Sequence, residues 1–197
     1  MIYIMNFTDM HSLNTLLFEY IHGFAGHYKA LDAFFIAITS YTAQGIVFGI
    51  VATYIFFYIP FVSVRPTYRL RAMAQAGESF VAMVTTWFVI LLLKVLVAFP
   101  RPFETMLHIK ALIVSSLGDS FPSGHAAMSM ALAITLYVHH PKFGKFLFVC
   151  ALGIGFSRIY VGVHYPLDVL AGWVIGYTLP LLFHKGFSYT STSRKDS

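Results

Sequence analysis

Three short clusters in this 197-residue chain carry basic residues, histidines or both, and between them they hold the groups that phosphate chemistry needs. The first is Lys94, six intervening residues, then Arg101-Pro102. The second is Pro122-Ser123-Gly124-His125. The third is Ser157-Arg158, five intervening residues, His164, and Asp168 four positions further on. Lys94, Arg101 and Arg158 are three cations beside apolar stretches, where an uncompensated charge is expensive. A polyanion is the simplest compensation, and the guanidinium fork matches phosphate oxygens. Pro122-Ser123-Gly124 reads as a helix start with Ser123 as N-cap. The N–H groups after it form an anion site, and Gly124 leaves the backbone open to close approach.

The two histidines add reactivity. Pro166 suits the first turn of a following helix, which places His164 just outside that helix and Asp168 within its first turn. The Asp168 carboxylate can then hold one ring nitrogen of His164 and leave the other to attack phosphorus. His125 is placed to protonate the leaving oxygen. The reaction so implied is hydrolysis of a phosphate ester or anhydride through a phosphohistidine, without cofactor or metal. A metal would have to be held by His125, His164 and Asp168 beside three cations, which is the weaker arrangement.

The surrounding elements are membrane-like. Hydrophobic residues make up 58% of the chain and charged residues 11%, with a mean hydropathy of +0.73. That composition excludes a water-soluble monomer and a disordered chain. The single cysteine, Cys150, excludes an intrachain disulfide framework and a multi-cysteine zinc module. Apolar stretches predict spans at 45–62, 72–99, 124–138, 146–156 (extending toward Val161) and 167–183. Residues 13–25 are expected to form an amphipathic helix on the membrane surface and 31–41 a second, partly embedded one, with one tilted span as the competing arrangement. The expected fold is therefore all-α, a polytopic membrane helix bundle of five to six spans with an amphipathic N-terminal helix. It forms one domain over 1–187, followed by a disordered polar tail, 188–197. The loop 100–122 contains a short apolar stretch, 109–117, that suits a cap.

Alternation of the spans puts Arg65, Arg69, Arg71, Lys142, Lys145, Lys185, Arg194 and Lys195 on one side. Positive-inside reasoning makes that side cytoplasmic and the side with the three clusters periplasmic or extracellular. Basic residues are dispersed among apolar stretches, so nucleic acid is not an expected partner. The isolated histidines His11, His22, His27, His139, His140 and His184 read as interfacial residues, and Glu78 and Glu104 have no assigned task.

Taken together, Lys-x6-Arg-Pro, Pro-Ser-Gly-His and Ser-Arg-x5-His-x3-Asp resemble the complete signature of the type 2 phosphatidic acid phosphatase (PAP2) superfamily. The resemblance implies His164 as nucleophile, Asp168 as its orienting partner and His125 as general acid. It implies that Lys94, Arg101, Ser123, Gly124 and Arg158 hold the phosphoryl group. Ile21-His22-Gly23 and Leu31-Asp32, with the short length, are similar to the bacitracin-resistance type of undecaprenyl-diphosphate phosphatase. The expected substrate is a lipid phosphate arriving from the bilayer, undecaprenyl diphosphate first, with phosphatidylglycerophosphate, phosphatidic acid and lipid A phosphates behind it. A non-enzymatic phosphate or lipid transporter is the rival class. Transporters place their sites near the midplane, whereas these clusters gather at one interface.

Overall fold

The structure is a computed structural model that describes residues 7–40, 45, 66–113 and 119–193. Every regular element among them is helical. In chain order these are α1 (Phe7–His22), α2 (Lys29–Thr39), α3 (Pro66–Val97), α4 (Pro102–Thr105), α5 (Gly124–His139), α6 (Pro141–Tyr160) and α7 (Pro166–Ser193). Four of them open on a proline, whose fixed φ and missing N–H suit the first turn. Stretches Met73–Thr105, Pro141–Tyr160 and Pro166–Lys185 are long and apolar enough to cross a membrane. Their outward faces carry large apolar side chains such as Trp87, Phe88, Val95, Val149 and Val174, all at least half exposed. A surface so apolar needs lipid or another apolar cover.

Helix α5 is the hub. It packs against α3, α6 and α7 and buries Ala126, Ala127, Ala131 and Ala133 completely. A 16-residue helix whose middle is almost wholly apolar on every face belongs inside a bundle. In lipid, helices associate through close van der Waals contact at small residues. Gly172 and Gly176 of α7 supply that contact. A Cβ on Gly176 would lie 2.1 Å from the Ala127 carbonyl oxygen, and one on Gly172 would lie 2.6 Å from that of Ser123. This contact fixes the N-terminus of α5 against the start of α7.

At the N-terminus two separate helices form, α1 and α2, and no single continuous helix links them. A turn at Gly23–Tyr28 separates them. It contains Gly26 at φ 82°, whose N–H donates to the Asp32 carboxylate at 3.1 Å. At 16 and 11 residues they are about 24 and 17 Å long, shorter than a hydrocarbon core of about 30 Å. Phe18 of α1 is fully buried against Tyr165 and His22. Phe35 of α2 packs on Tyr160, with ring centroids 4.2 Å apart.

The expected span 45–62 lies outside the described residues apart from Gly45. Of the 109–117 stretch, residues 109–113 are described, and Leu112 N–H donates to the Val161 carbonyl at 3.0 Å. Helix α7 continues to Ser193, into the segment read from sequence as a disordered tail from Ser188. Extending a formed helix costs far less than nucleating one.

Candidate active site

The C-terminal ends of α3 and α6 and the N-terminal ends of α5 and α7 lie at one end of the bundle, because consecutive long helices run in opposite directions. All three sequence clusters therefore meet there. Lys94, in the last turn of α3, donates to the carbonyl oxygen of Asp119. Arg101 immediately precedes α4 and is 6% exposed. Its guanidinium donates to the Val163 carbonyl at 3.2 Å, and its backbone N–H donates to the Glu104 carboxylate at 2.9 Å. Glu104, unassigned in the sequence, thus caps the backbone of the phosphate-binding candidate. Arg158, in the last turn of α6, is 1% exposed and donates to the Thr39 hydroxyl at 2.7 Å.

Ser123 is the residue before α5, as the sequence predicts, but its hydroxyl does not cap the helix. That hydroxyl is buried and has no hydrogen-bond partner among the described residues. A buried hydroxyl left in that state is a cost unless a ligand meets it. The Ser123 N–H donates to the Asp168 carbonyl at 2.9 Å, which ties the two helix starts together. At Gly124 an added Cβ would have Ile90 at 3.7 Å as its nearest protein neighbour, an ordinary contact. Protein packing therefore does not demand glycine there. His125 follows in the first turn of α5, within electrostatic reach of Lys94, Arg101, Arg158 and His164.

His164 lies between α6 and α7 and is 2% exposed. Its Nδ1 is 3.5 Å from the Asp168 carboxylate, too long for a hydrogen bond. Ser120 bridges the gap. Its Oγ is 2.5 Å from Asp168 Oδ2 and 3.3 Å from His164 Nδ1. With the Ser120 proton directed at the carboxylate, Oγ accepts from Nδ1–H. That sets the tautomer with a lone pair on Nε2. Asp168 Oδ2 also receives the Tyr165 N–H at 2.8 Å. Burial, and then the charges of Arg158, Arg101 and Lys94, hold His164 well below its ordinary pKa of 6.5. That favours the neutral ring, the form able to act as a nucleophile.

The profile of the PAP2 superfamily matches residues 75–191, more than half of the chain and all three clusters. The chain belongs to the PAP2 superfamily. Undecaprenyl-diphosphatase BcrC of Bacillus subtilis is 32% identical over 174 residues, covering 88% of this PAP2 chain and 83% of the relative. The crystal structure of LpxE from Aquifex aeolicus superposes with a TM-score of 0.71 at 26% identity, covering 93% of this chain and 99% of that one. A transmembrane PAP2-type phosphatidylglycerolphosphate phosphatase from Bacillus subtilis superposes with a TM-score of 0.65 at 25% identity, over 92% and 87% of the two chains. This PAP2 chain is thus a helical integral membrane protein of a phosphatase family.

Several partners in this PAP2 site were not read from the sequence. Ser120 has no motif around it, and its contacts lie 44 and 48 residues away. Thr39 reaches Arg158 from α2, 119 residues distant. His22, read as interfacial, is 8% exposed, and its Nδ1 lies 2.8 Å from the Tyr160 carbonyl. The turn holding His164 begins at Gly162, φ 85°, and a Cβ there would lie 2.7 Å from the His22 ring. Asn14 of α1 accepts the Leu167 N–H at 3.0 Å. The N-terminal helices therefore brace the loop that presents His164. His139 and His184, also read as interfacial, each approach Glu78.

Proposed function

We propose that this PAP2 protein hydrolyses undecaprenyl diphosphate at the outer face of the cytoplasmic membrane, through a phosphohistidine and without metal in the reaction. The observation that carries the mechanism is the buried, neutral His164. Its Nδ1 is committed through Ser120 to Asp168, among Lys94, Arg101 and Arg158. His164 Nε2 attacks the terminal phosphorus, and the bond from phosphorus to the bridging oxygen breaks. His125 supplies the proton that this oxygen takes up, releasing undecaprenyl phosphate. Water then attacks phosphorus, the P–N bond breaks, and inorganic phosphate leaves. Lys94, Arg101, Arg158, the Ser123 hydroxyl and the N–H groups that open α5 meet the phosphoryl oxygens, where charge grows in the transition state.

The substrate choice rests on the extended similarity to a named undecaprenyl-diphosphatase. Phosphatidylglycerophosphate is the second reading, favoured by the superposition on a phosphatase of that lipid. The outward assignment rests on Arg69, Arg71, Lys142, Lys145 and Lys185, which fall at the other ends of the helices from the site.

The test is phosphate release by purified protein in EDTA, with undecaprenyl diphosphate, phosphatidylglycerophosphate, phosphatidic acid and lipid A assayed side by side. The expected result is preference for the diphosphate and a loss of at least about a thousandfold in His164→Ala and His125→Ala. Full activity in His164→Ala would remove the nucleophile assignment. A preference for another lipid would replace the substrate.

A further inference from the structure

The end of the bundle away from the phosphatase site holds a second cluster of chemistry-bearing side chains. Glu78 of α3, His139 at the end of α5 and His184 of α7 bring one carboxylate and two imidazoles together, with ligand atoms all within 4.8 Å of one another. The carboxylate is shared: Oε1 is 2.9 Å from His184 Nδ1, and Oε2 is 3.5 Å from His139 Nε2. The two rings stand edge to face, 5.5 Å between centroids. Glu78 and His139 side chains are about nine-tenths buried, and that of His184 is 36% exposed. His139 Nε2, buried and aimed into the cluster, makes no hydrogen bond among the described residues. A buried ring nitrogen in that condition asks for a partner.

We propose that Glu78, His139 and His184 form a structural site for a divalent transition metal, zinc by preference. Zinc bonds to imidazole nitrogen and carboxylate oxygen are about 2.0–2.1 Å, so neighbouring ligand atoms of a tetrahedron lie about 3.3 Å apart. With one atom from each residue the ligand atoms lie within 4.8 Å of one another, so they need close by no more than about 1.5 Å to reach that edge. Two imidazoles with one carboxylate suit zinc or cobalt, whereas magnesium and calcium take oxygen ligands. Three protein ligands leave a fourth position for water, which the part-exposed side of His184 admits. Binding uses the Glu78 carboxylate and the lone pairs of His139 Nε2 and His184 Nδ1. The proton on His184 Nδ1 moves to its Nε2, so no net proton is released. The ion would clamp the far ends of α3, α5 and α7, the helices that carry Lys94, His125 and Asp168 at their other ends. Each ligand stands 14 to 16 residues from its counterpart, about 21–24 Å along the helix. The clamp is therefore separate from the phosphatase chemistry and does not depend on the substrate reading.

The test uses tag-free, full-length protein in nanodiscs, stripped with a chelator and returned to chelator-free buffer. Cobalt(II) titration should give one ion per chain with the visible ligand-field bands of a four-coordinate site, displaced by zinc. Glu78→Gln and His184→Gln should each weaken cobalt binding by at least about 100-fold, more than loss of an outer-shell partner does. His164→Ala should leave it unchanged. Zinc should raise the melting temperature of the wild type but not of His184→Gln, whose part-exposed position keeps folding intact should Glu78→Gln fail to fold. Absence of stoichiometric cobalt binding, or binding retained in His184→Gln, would overturn the proposal. So would binding lost in His164→Ala, which would move the ion to the phosphatase site.

Discussion

The two ends of one bundle share α3, α5 and α7, with α6 added at the phosphatase end, and have opposite electrostatic needs. At the phosphatase end Lys94, Arg101 and Arg158 lie with the carboxylates of Asp168, Asp119 and Glu104, of which Asp168 is already engaged by Ser120 and the Tyr165 N–H, and Glu104 by the Arg101 backbone N–H. Hydrogen bonds from the three cations reach neutral acceptors, among them the carbonyls of Asp119 and Val163 and the Thr39 hydroxyl. Such contacts satisfy donors without cancelling charge, so this end is set for an anion. At the far end one buried carboxylate faces two imidazoles, and that arrangement is set for a cation. One bundle thus supports two chemistries, and the polar side chains that its helices bring together at each end decide which.

The change that breaks both ends at once should have the largest effect. Gly176→Leu forces a side chain into the Ala127 backbone. It should cost about 3 kcal/mol, the upper part of the range for overpacked positions, and be seen as a lower melting temperature with both activity and metal binding reduced. Breaking only the phosphatase end comes next. Ser120→Ala removes the link between His164 and Asp168 and should lower kcat about 10- to 100-fold, as loss of an orienting partner does elsewhere. KM should change little, because the cations proposed to bind phosphate are untouched. Cobalt binding at the far end should stay as in the wild type.

The smallest effect concerns pH. His164 in the folded protein stays neutral well below 6.5, whereas the unfolded chain takes up that proton near 6.5. Below pH 6.5 the unfolded state therefore binds more protons, and stability falls as pH falls, by at most about 1.4 kcal/mol per unit from this group. Denaturation profiles of wild type and His164→Gln at pH 7 and 5 should differ in that slope, the wild type being the steeper.

The features legible in the sequence were those governed by short separations. The apolar stretches located α3, α5, α6 and α7, and Ser123 and Pro166 located the starts of α5 and α7, whereas α3 and α6 begin at Pro66 and Pro141, ahead of the starts at 72 and 146 read from hydropathy. Two helices over 13–25 and 31–41 were one of two arrangements the sequence allowed; the break itself, a left-handed Gly26 whose N–H the Asp32 carboxylate accepts, is seen only in the fold. What lay beyond reading was contact across the fold. Ser120 belongs to the site only because the chain before Pro122 crosses above Asp168. His22 is buried only because α1 docks on a turn 138 residues away. Glu78 and His184, 106 residues apart, meet because α3 and α7 flank α5 in register. None of these leaves a spacing pattern, and isolated polar residues in apolar stretches therefore read as interfacial.

The central claim is that His164 takes the phosphoryl group. Mixing the purified protein with substrate labelled in its terminal phosphate, quenching within the first turnover at alkaline pH and locating the label by peptide mass spectrometry tests it directly. The account predicts phosphate on His164, absent from His164→Ala and persisting longer where the second, hydrolytic step is slowed. Phosphate produced in a full burst with His164 never labelled, or label carried by any other residue, would contradict it.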